Sequence, residues 1–184
     1  MNPPDWNNCD ENELWRYVAW HLAGEGISSV LVGGAVVAIY SNGSYRSGDL
    51  DMIISEPSRP FLTTSLAKIG FTPGKSRYYK HPECTHLVIE FPKGPVELGE
   101  QFHITPAEIE VQGRVIKLLS PTDCVKDRLA SHIHWKSKDA FNQAVLVCRN
   151  RTSEINMKEL AEWCRGEGGT TAFKNLLRHL KNTP

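Results

Sequence analysis

Leu31-Val32-Gly33-Gly34-Ala35 and, further on, Asp49-Leu50-Asp51-Met52 decide how this chain is read. Val30-Leu31-Val32 is a short apolar run, and Gly33-Gly34 ends it. That pattern predicts a buried strand, a tight turn, and a short helix over 35–40 closed by Asn42-Gly43. Leu50 to Ile54 predicts the next strand. Asp49 and Asp51 stand at i and i+2, so on a strand they project from one face while Leu50 and Met52 take the other. Two like charges side by side repel, and folding gains nothing from them unless a cation lies between. Mg²⁺ takes one or two carboxylates together with substrate phosphates, which is what this pair offers. The glycines supply the other half of such a site. Backbone N–H groups at a helix start, with the helix dipole behind them, hold phosphate.

On the N-terminal side, the first nine residues read as a frayed end. Asp10 with Glu13 predicts a helix start, Leu14, Val18 and Leu22 recur at its apolar face, and Gly24 and Gly26 stop it. On the C-terminal side, Ser58 to Ile69 predicts an amphipathic helix. Arg77–Lys80 and Thr85–Phe91 predict strands; in the second, Leu87, Ile89 and Phe91 share one face and Val88 and Glu90 the other. Gln112-Gly113 between Ile109–Val111 and Arg114–Leu119 predicts a hairpin. Ser120-Pro121-Thr122-Asp123 is a helix start, with Ser at the N-cap and Pro at N1. Further helices follow over 139–147, 153–165 and 170–181. The layout is an α/β chain: a small mixed sheet flanked by helices over residues 1–119, and a helical C-terminal portion, 120–184, packed on that core.

The composition narrows the function. The 184 residues are 40% hydrophobic and 23% charged, which excludes a disordered chain and a fibre. Twenty-one basic and twenty-one acidic side chains give zero net charge, against a strongly basic nucleic-acid binder. Residues 1–119 hold 10 basic and 14 acidic groups, and residues 120–184 hold 11 and 7, so the C-terminal third can dock an anion. The five cysteines, Cys9, Cys84, Cys124, Cys148 and Cys164, form no C-x-x-C. No signal region follows Met1, and no apolar run reaches the about 18 residues of a membrane span. The expectation is a reduced, cytoplasmic protein with no membrane partner.

Taken together, a strand, Gly33-Gly34, a spacer of 14 residues and Asp49-Leu50-Asp51-Met52 resemble the signature of the nucleotidyltransferase (DNA polymerase beta-like) superfamily. The resemblance implies a nucleotidyltransferase fold and transfer of a nucleoside monophosphate from an NTP to an acceptor. It implies a third carboxylate on a later strand, for which Glu90 and Glu97 are the candidates. Glu90, an acid inside the apolar strand Leu87-Val88-Ile89-Glu90-Phe91, is the preferred one. Asp49, Asp51 and that acid would hold two Mg²⁺ ions, with Mn²⁺ able to substitute. Gly33, Gly34 and Ser44 would bind nucleotide phosphates.

The likeness continues over residues 28–148 and looks closest to the AbiEii-type toxin branch. That branch carries Lys-Leu-Ala on a helix, then a basic residue and Asp. Here Arg128-Leu129-Ala130 stands in the first place and Lys138-Asp139 in the second. Arg keeps the charge of Lys but not its geometry, and Lys126 is a substitute for it. Lys126, Arg128 and Asp139 are therefore the further nucleotide-binding candidates. The branch implies RNA, tRNA or protein as acceptor, and a cognate antitoxin as partner. The alternative is a catalytically inactive member that binds nucleotide or a partner. An antibiotic-modifying adenylyltransferase would instead want an acidic pocket for its cationic drug.

Other clusters stand apart from this constellation. His81-Pro82-Glu83-Cys84-Thr85-His86 brings metal-ligand types together without a second group at zinc-finger spacing, and reads first as a polar connection. His132 and His134 face apart on their helix. Trp6, Trp15, Trp20, Trp135 and Trp163 read as core or interface residues.

Overall fold

Helix α1 (Glu11–Gly24) starts on a complete capping box. The Glu13 N–H donates to the Asp10 carboxylate at 2.8 Å, and the Asp10 N–H donates to the Glu13 carboxylate at 3.0 Å. Leu14, Trp15, Val18 and Leu22 bury its inner face. The computed structural model describes residues 1–54, 59–75, 77–93 and 104–181. Within them, the segment before α1 is anchored rather than frayed. Trp6 stacks on His81 with ring centroids 3.7 Å apart and meets Tyr17 and Phe71 edge-on. Cys9 is buried against Cys84. The anchoring partners lie some 75 residues away, which no local pattern announces.

The sheet contains β1 (Ser29–Val32), β2 (Asp49–Ile54), β3 (Thr72–Pro73), β4 (Tyr78–Lys80), β5 (Val88–Glu90), β6 (Ala107–Val111) and β7 (Arg114–Leu118). Their order is β3-β4-β5-β2-β1-β7-β6. β1 runs parallel to β7, and β2 parallel to β5; the other neighbours are antiparallel. The mixed sheet is therefore the expected one. β5 is shorter than the Thr85–Phe91 strand the alternation predicts, because pairing reaches only three residues. The β6–β7 hairpin turns on Gln112 and Gly113 at φ 46° and 75°, the positive pair a tight two-residue turn requires.

Helix α2 (Gly33–Tyr40) begins at the two glycines, two residues before the apolar stretch suggests. Helix α3 is Arg59–Ala67, α4 Pro121–Trp135, α5 Lys138–Asn150, α6 Met157–Gly166 and α7 Thr170–Lys181. Ser120 caps α4 as expected, accepting from the Asp123 N–H at 3.1 Å. Lys136, at φ 58°, ends α4 and lets α5 fold back beside it. Leu31, Leu50, Met52 and Ile89 are fully buried on the core face of the sheet. Each contributes roughly 1.5–3 kcal/mol of burial. Two polar ties hold the end of α2: the Tyr40 hydroxyl donates to the carbonyl of Leu119, between β7 and α4, at 2.7 Å, and Arg151 Nε donates to the Tyr40 carbonyl at 3.2 Å. Of the tryptophans, Trp15 and Trp163 are core, whereas Trp135 is 77% exposed at the end of α4. Among the described residues no helix is long and apolar enough to cross a membrane.

Candidate active site

Register places the acids. β2 lies between β1 and β5, with Asp51 opposite Val32 on one side and Glu90 on the other. Residues opposite each other in paired strands project to the same face, so Asp49, Asp51 and Glu90 share one. Leu50, Met52 and Ile89 fill the other face toward the core. The two aspartates are half-buried; Glu90 is buried. Glu97, the other candidate for a third acid, lies outside the described residues.

The glycines approach this face from β1. Gly33 has φ +73°, a left-handed conformation suited to glycine. A Cβ at this position would lie 2.6 Å from Asp51 Oδ2, and one on Gly34 would lie 2.8 Å from Ser47 Oγ. The backbone at the start of α2 thus touches the carboxylate side. Val32, the N-cap, provides no side-chain acceptor to the first turn.

Ser47 belongs to this cluster, and sequence reasoning missed it. Its hydroxyl donates to Asp49 Oδ1 at 3.1 Å, and its N–H donates to the buried Glu11 carboxylate at 2.6 Å. Arg46 closes the other oxygen of Glu11 at 3.3 Å. Ser44 instead sits exposed in the turn after α2, its N–H on the Ser41 carbonyl at 3.1 Å. The one sequence signal for Ser47 was its position two residues before Asp49.

Two guanidiniums face the acids. Arg77, just before β4, makes an ion pair with Glu90 Oε1. Arg128 on α4 is held by Asp127, which accepts from Nε at 3.0 Å and Nη2 at 2.5 Å, and by Gln143, which accepts from Nη1 at 3.2 Å. Burial pushes the Asp51 carboxyl up to about 6, and the neighbouring Asp49 charge adds to the rise. Arg128 and Arg77 pull the other way and Asp127 opposes them. Among the described residues, Asp49, Asp51, Glu90 and Asp127 thus face Arg77 and Arg128. Fully ionised, that group carries two uncompensated negative charges, the charge of one divalent cation.

Two further candidates lie elsewhere. Lys126 is fully buried and paired with Asp123 at 3.0 Å and with Glu159 of α6 at 2.5 Å. Two positions along α4 from Arg128, it points to a different side of the helix. Burial works to lower its pKa, but the hydrogen bonds to Glu159 and Asp123 outweigh that and raise it. Asp139 is exposed in the first turn of α5.

No protein-family model matches the chain. No curated protein matches it either. Among solved structures, the chain is similar to an antigenic nucleotidyltransferase-like protein from Paracoccidioides brasiliensis. The identity is 19% and the TM-score 0.57, over 90% of this chain and 92% of that one. It is also similar to ANT(2")-Ia, solved in complex with adenylyl-2"-tobramycin. There the identity is 12% and the TM-score 0.53, over 88% of this chain and 95% of that one. The chain therefore has a nucleotidyltransferase-like α/β fold.

Proposed function

We propose that this protein transfers a nucleoside monophosphate from an NTP to a hydroxyl acceptor. The acceptor oxygen bonds to the α-phosphorus, the bond from that phosphorus to the bridging oxygen breaks, and pyrophosphate leaves. The observation that carries the reading is the alignment of Asp49, Asp51 and Glu90 on one sheet face, beside the glycine start of α2. The donor set is all carboxylate and short of positive charge, which fits Mg²⁺, with Mn²⁺ as a substitute. Bound there, the metal would polarise the α-phosphoryl group and lower the proton affinity of the acceptor hydroxyl.

The chain's own residues do the rest. The N–H groups of Gly33 and Gly34, at the first turn of α2, donate to phosphate oxygens. Ser47 orients Asp49 through its hydroxyl. Arg128, fixed by Asp127 and Gln143, neutralises charge on the departing pyrophosphate. Arg77, half-exposed, exchanges Glu90 for nucleotide when the acid is needed.

For the acceptor, the surface supports a polyanion such as tRNA. Exposed Trp135 is followed by Lys136, with Lys138 two residues further on, and an aromatic ring beside lysines suits a stacked base and its phosphates. In this reading the protein acts in the cytoplasm as the toxin of a pair with an antitoxin. One observation favours the inactive alternative: the Arg77 ion pair neutralises Glu90.

The test is transfer of label from each α-³²P-NTP, with Mg²⁺ or Mn²⁺, to total RNA, to protein and to an aminoglycoside. Labelled RNA supports the reading. Labelled aminoglycoside keeps the chemistry and replaces the acceptor. No label anywhere, with Mg²⁺-dependent NTP binding in titration calorimetry, leaves the inactive nucleotide-binding member.

A further inference from the structure

A second cluster lies outside the carboxylate face, where the N-terminal segment meets the connection between β4 and β5. Cys9 Sγ is 3.9 Å from Cys84 Sγ, and Cys84 Sγ is 4.0 Å from His86 Nδ1. The three ligand atoms all lie within 4.8 Å of one another. We propose that Cys9, Cys84 and His86 form a binding site for a thiophilic d¹⁰ metal ion, of which Zn²⁺ is the representative.

Distance supports the site first. A tetrahedral zinc with Zn–S of about 2.3 Å sets its two sulfurs about 3.8 Å apart, and with Zn–N of about 2.0 Å sets sulfur and nitrogen about 3.5 Å apart. The two sulfur separations, 3.9 Å to the other thiol and 4.0 Å to the imidazole, lie within about half an ångström of these values, and the third side, within 4.8 Å, closes by about an ångström at most.

The tautomer supports it second. His86 Nε2 lies 2.8 Å from the Cys9 carbonyl oxygen. A carbonyl only accepts, so Nε2 carries the proton and Nδ1 presents its lone pair toward the thiols. Metal-binding histidines are oriented in this way, by a carbonyl holding the other ring nitrogen.

The connection is also held in place before any ion arrives. The Cys84 N–H donates to the His81 carbonyl at 3.2 Å, and His81 stacks on Trp6. The thiols are buried while His86 is exposed, so an ion can enter from the imidazole side and keep a solvent ligand in a fourth position. Binding displaces thiol protons: two thiolates and a neutral imidazole then neutralise a divalent ion. Burial, followed by the Cys84 thiol, pushes the empty Cys9 thiol up to about 12. Glu13 and Asp10 contribute to the same rise, and their negative charge attracts a cation to this corner. The site would clamp the segment before α1 to the loop leading into β5, the strand of Glu90. It is independent of the nucleotidyl-transfer reading.

The test uses the full chain, stripped of metal, reduced, and titrated with Co²⁺ in place of Zn²⁺. The expected result is one equivalent that develops thiolate-to-cobalt charge-transfer absorption and tetrahedral d–d bands, and that Zn²⁺ displaces. Cys84→Ser removes the charge transfer. His86→Gln, at an exposed position, weakens Co²⁺ binding by about tenfold or more. Asp51→Asn leaves the thiolate bands unchanged, separating this site from the carboxylate face, whose ligands are oxygen. Zn²⁺ raises the melting temperature of the wild type but not of Cys9→Ser. Absence of thiolate bands in the wild type overturns the proposal, as does a spectrum and affinity indifferent to His86→Gln. Reduced protein that takes no Co²⁺ but cross-links Cys9 to Cys84 in air also overturns it, and marks a redox pair instead.

Discussion

A Cβ placed on Gly33 would lie 2.6 Å from Asp51 Oδ2. The backbone at the start of α2 therefore rests on the carboxylate that register pairs with Glu90. Nothing larger than glycine fits between them, and the φ of +73° also disfavours a side chain. Gly33→Ala is expected to cost about 2 kcal/mol of stability from the left-handed backbone alone, and to displace Asp51 or the helix start. Nucleotide affinity should fall with it. Gly48→Ala, where a Cβ meets nothing within 4 Å, should be neutral in the same urea melts. Equal stability of both variants would remove the close approach from the account.

Asp51 makes apo stability depend on pH in a definite direction. Its carboxyl, at about 6 in the fold, lies above the ordinary 3.8. The folded state thus keeps a proton between those values that the unfolded state has lost. The stabilisation from this group is complete below about pH 4 and is lost as pH rises through 6. The loss is at most about 3 kcal/mol. Asp51→Asn should therefore gain on the wild type between pH 4 and pH 7.5 in metal-free urea melts, and Mg²⁺ should narrow the gap at pH 7.5. A stability difference that does not change with pH would mean that Asp51 is hydrogen-bonded within the fold rather than strained by burial.

Glu90 separates chemistry from binding. NTP binding draws on Asp49, Asp51 and the glycine start of α2, while activation of the acceptor draws on the third acid. Glu90→Gln is expected to lower turnover by about 10²-fold or more with little change in nucleotide affinity. Glu97→Gln should retain turnover. If only Glu97→Gln is inactive in the labelling assay, the third acid has been misplaced and the transferase reading stands.

Lys126 and Arg128 should fail in opposite ways. Lys126 is buried between Asp123 and Glu159, so Lys126→Ala strands a buried carboxylate and should cost about 3 kcal/mol, with turnover per folded molecule preserved. Arg128→Ala should lower turnover in the same assay far more than it lowers stability. A Lys126→Ala variant of wild-type stability and lost nucleotide affinity would return Lys126 to the phosphate site.

The sequence alone determined what depends on neighbours in the chain. Alternation along Asp49-Leu50-Asp51-Met52 needs only the two-residue period of a strand, and it put both carboxylates on one face before any pairing was known. Asp10 with Glu13, and Ser120 with Asp123, are capping contacts three residues long, so both helix starts were legible. The mixed α/β layout followed from such local signals.

Tertiary structure decided whatever depends on distant pairing. Nothing local to Glu90 says that it lies opposite Asp51; the parallel register of β5 on β2 does. On α4, Lys126 and Arg128 are two basic residues two positions apart, and only the docking of α6 against one side brings Glu159 to Lys126. Ser47, rather than Ser44, meets the glycine turn because the loop after α2 folds back to Glu11. The N-terminal segment read as frayed for the same reason. Trp6 and Cys9 find His81 and Cys84 across some 75 residues. Periodicity carries information over a few residues, whereas loop closure over that span is set only when the whole core is buried.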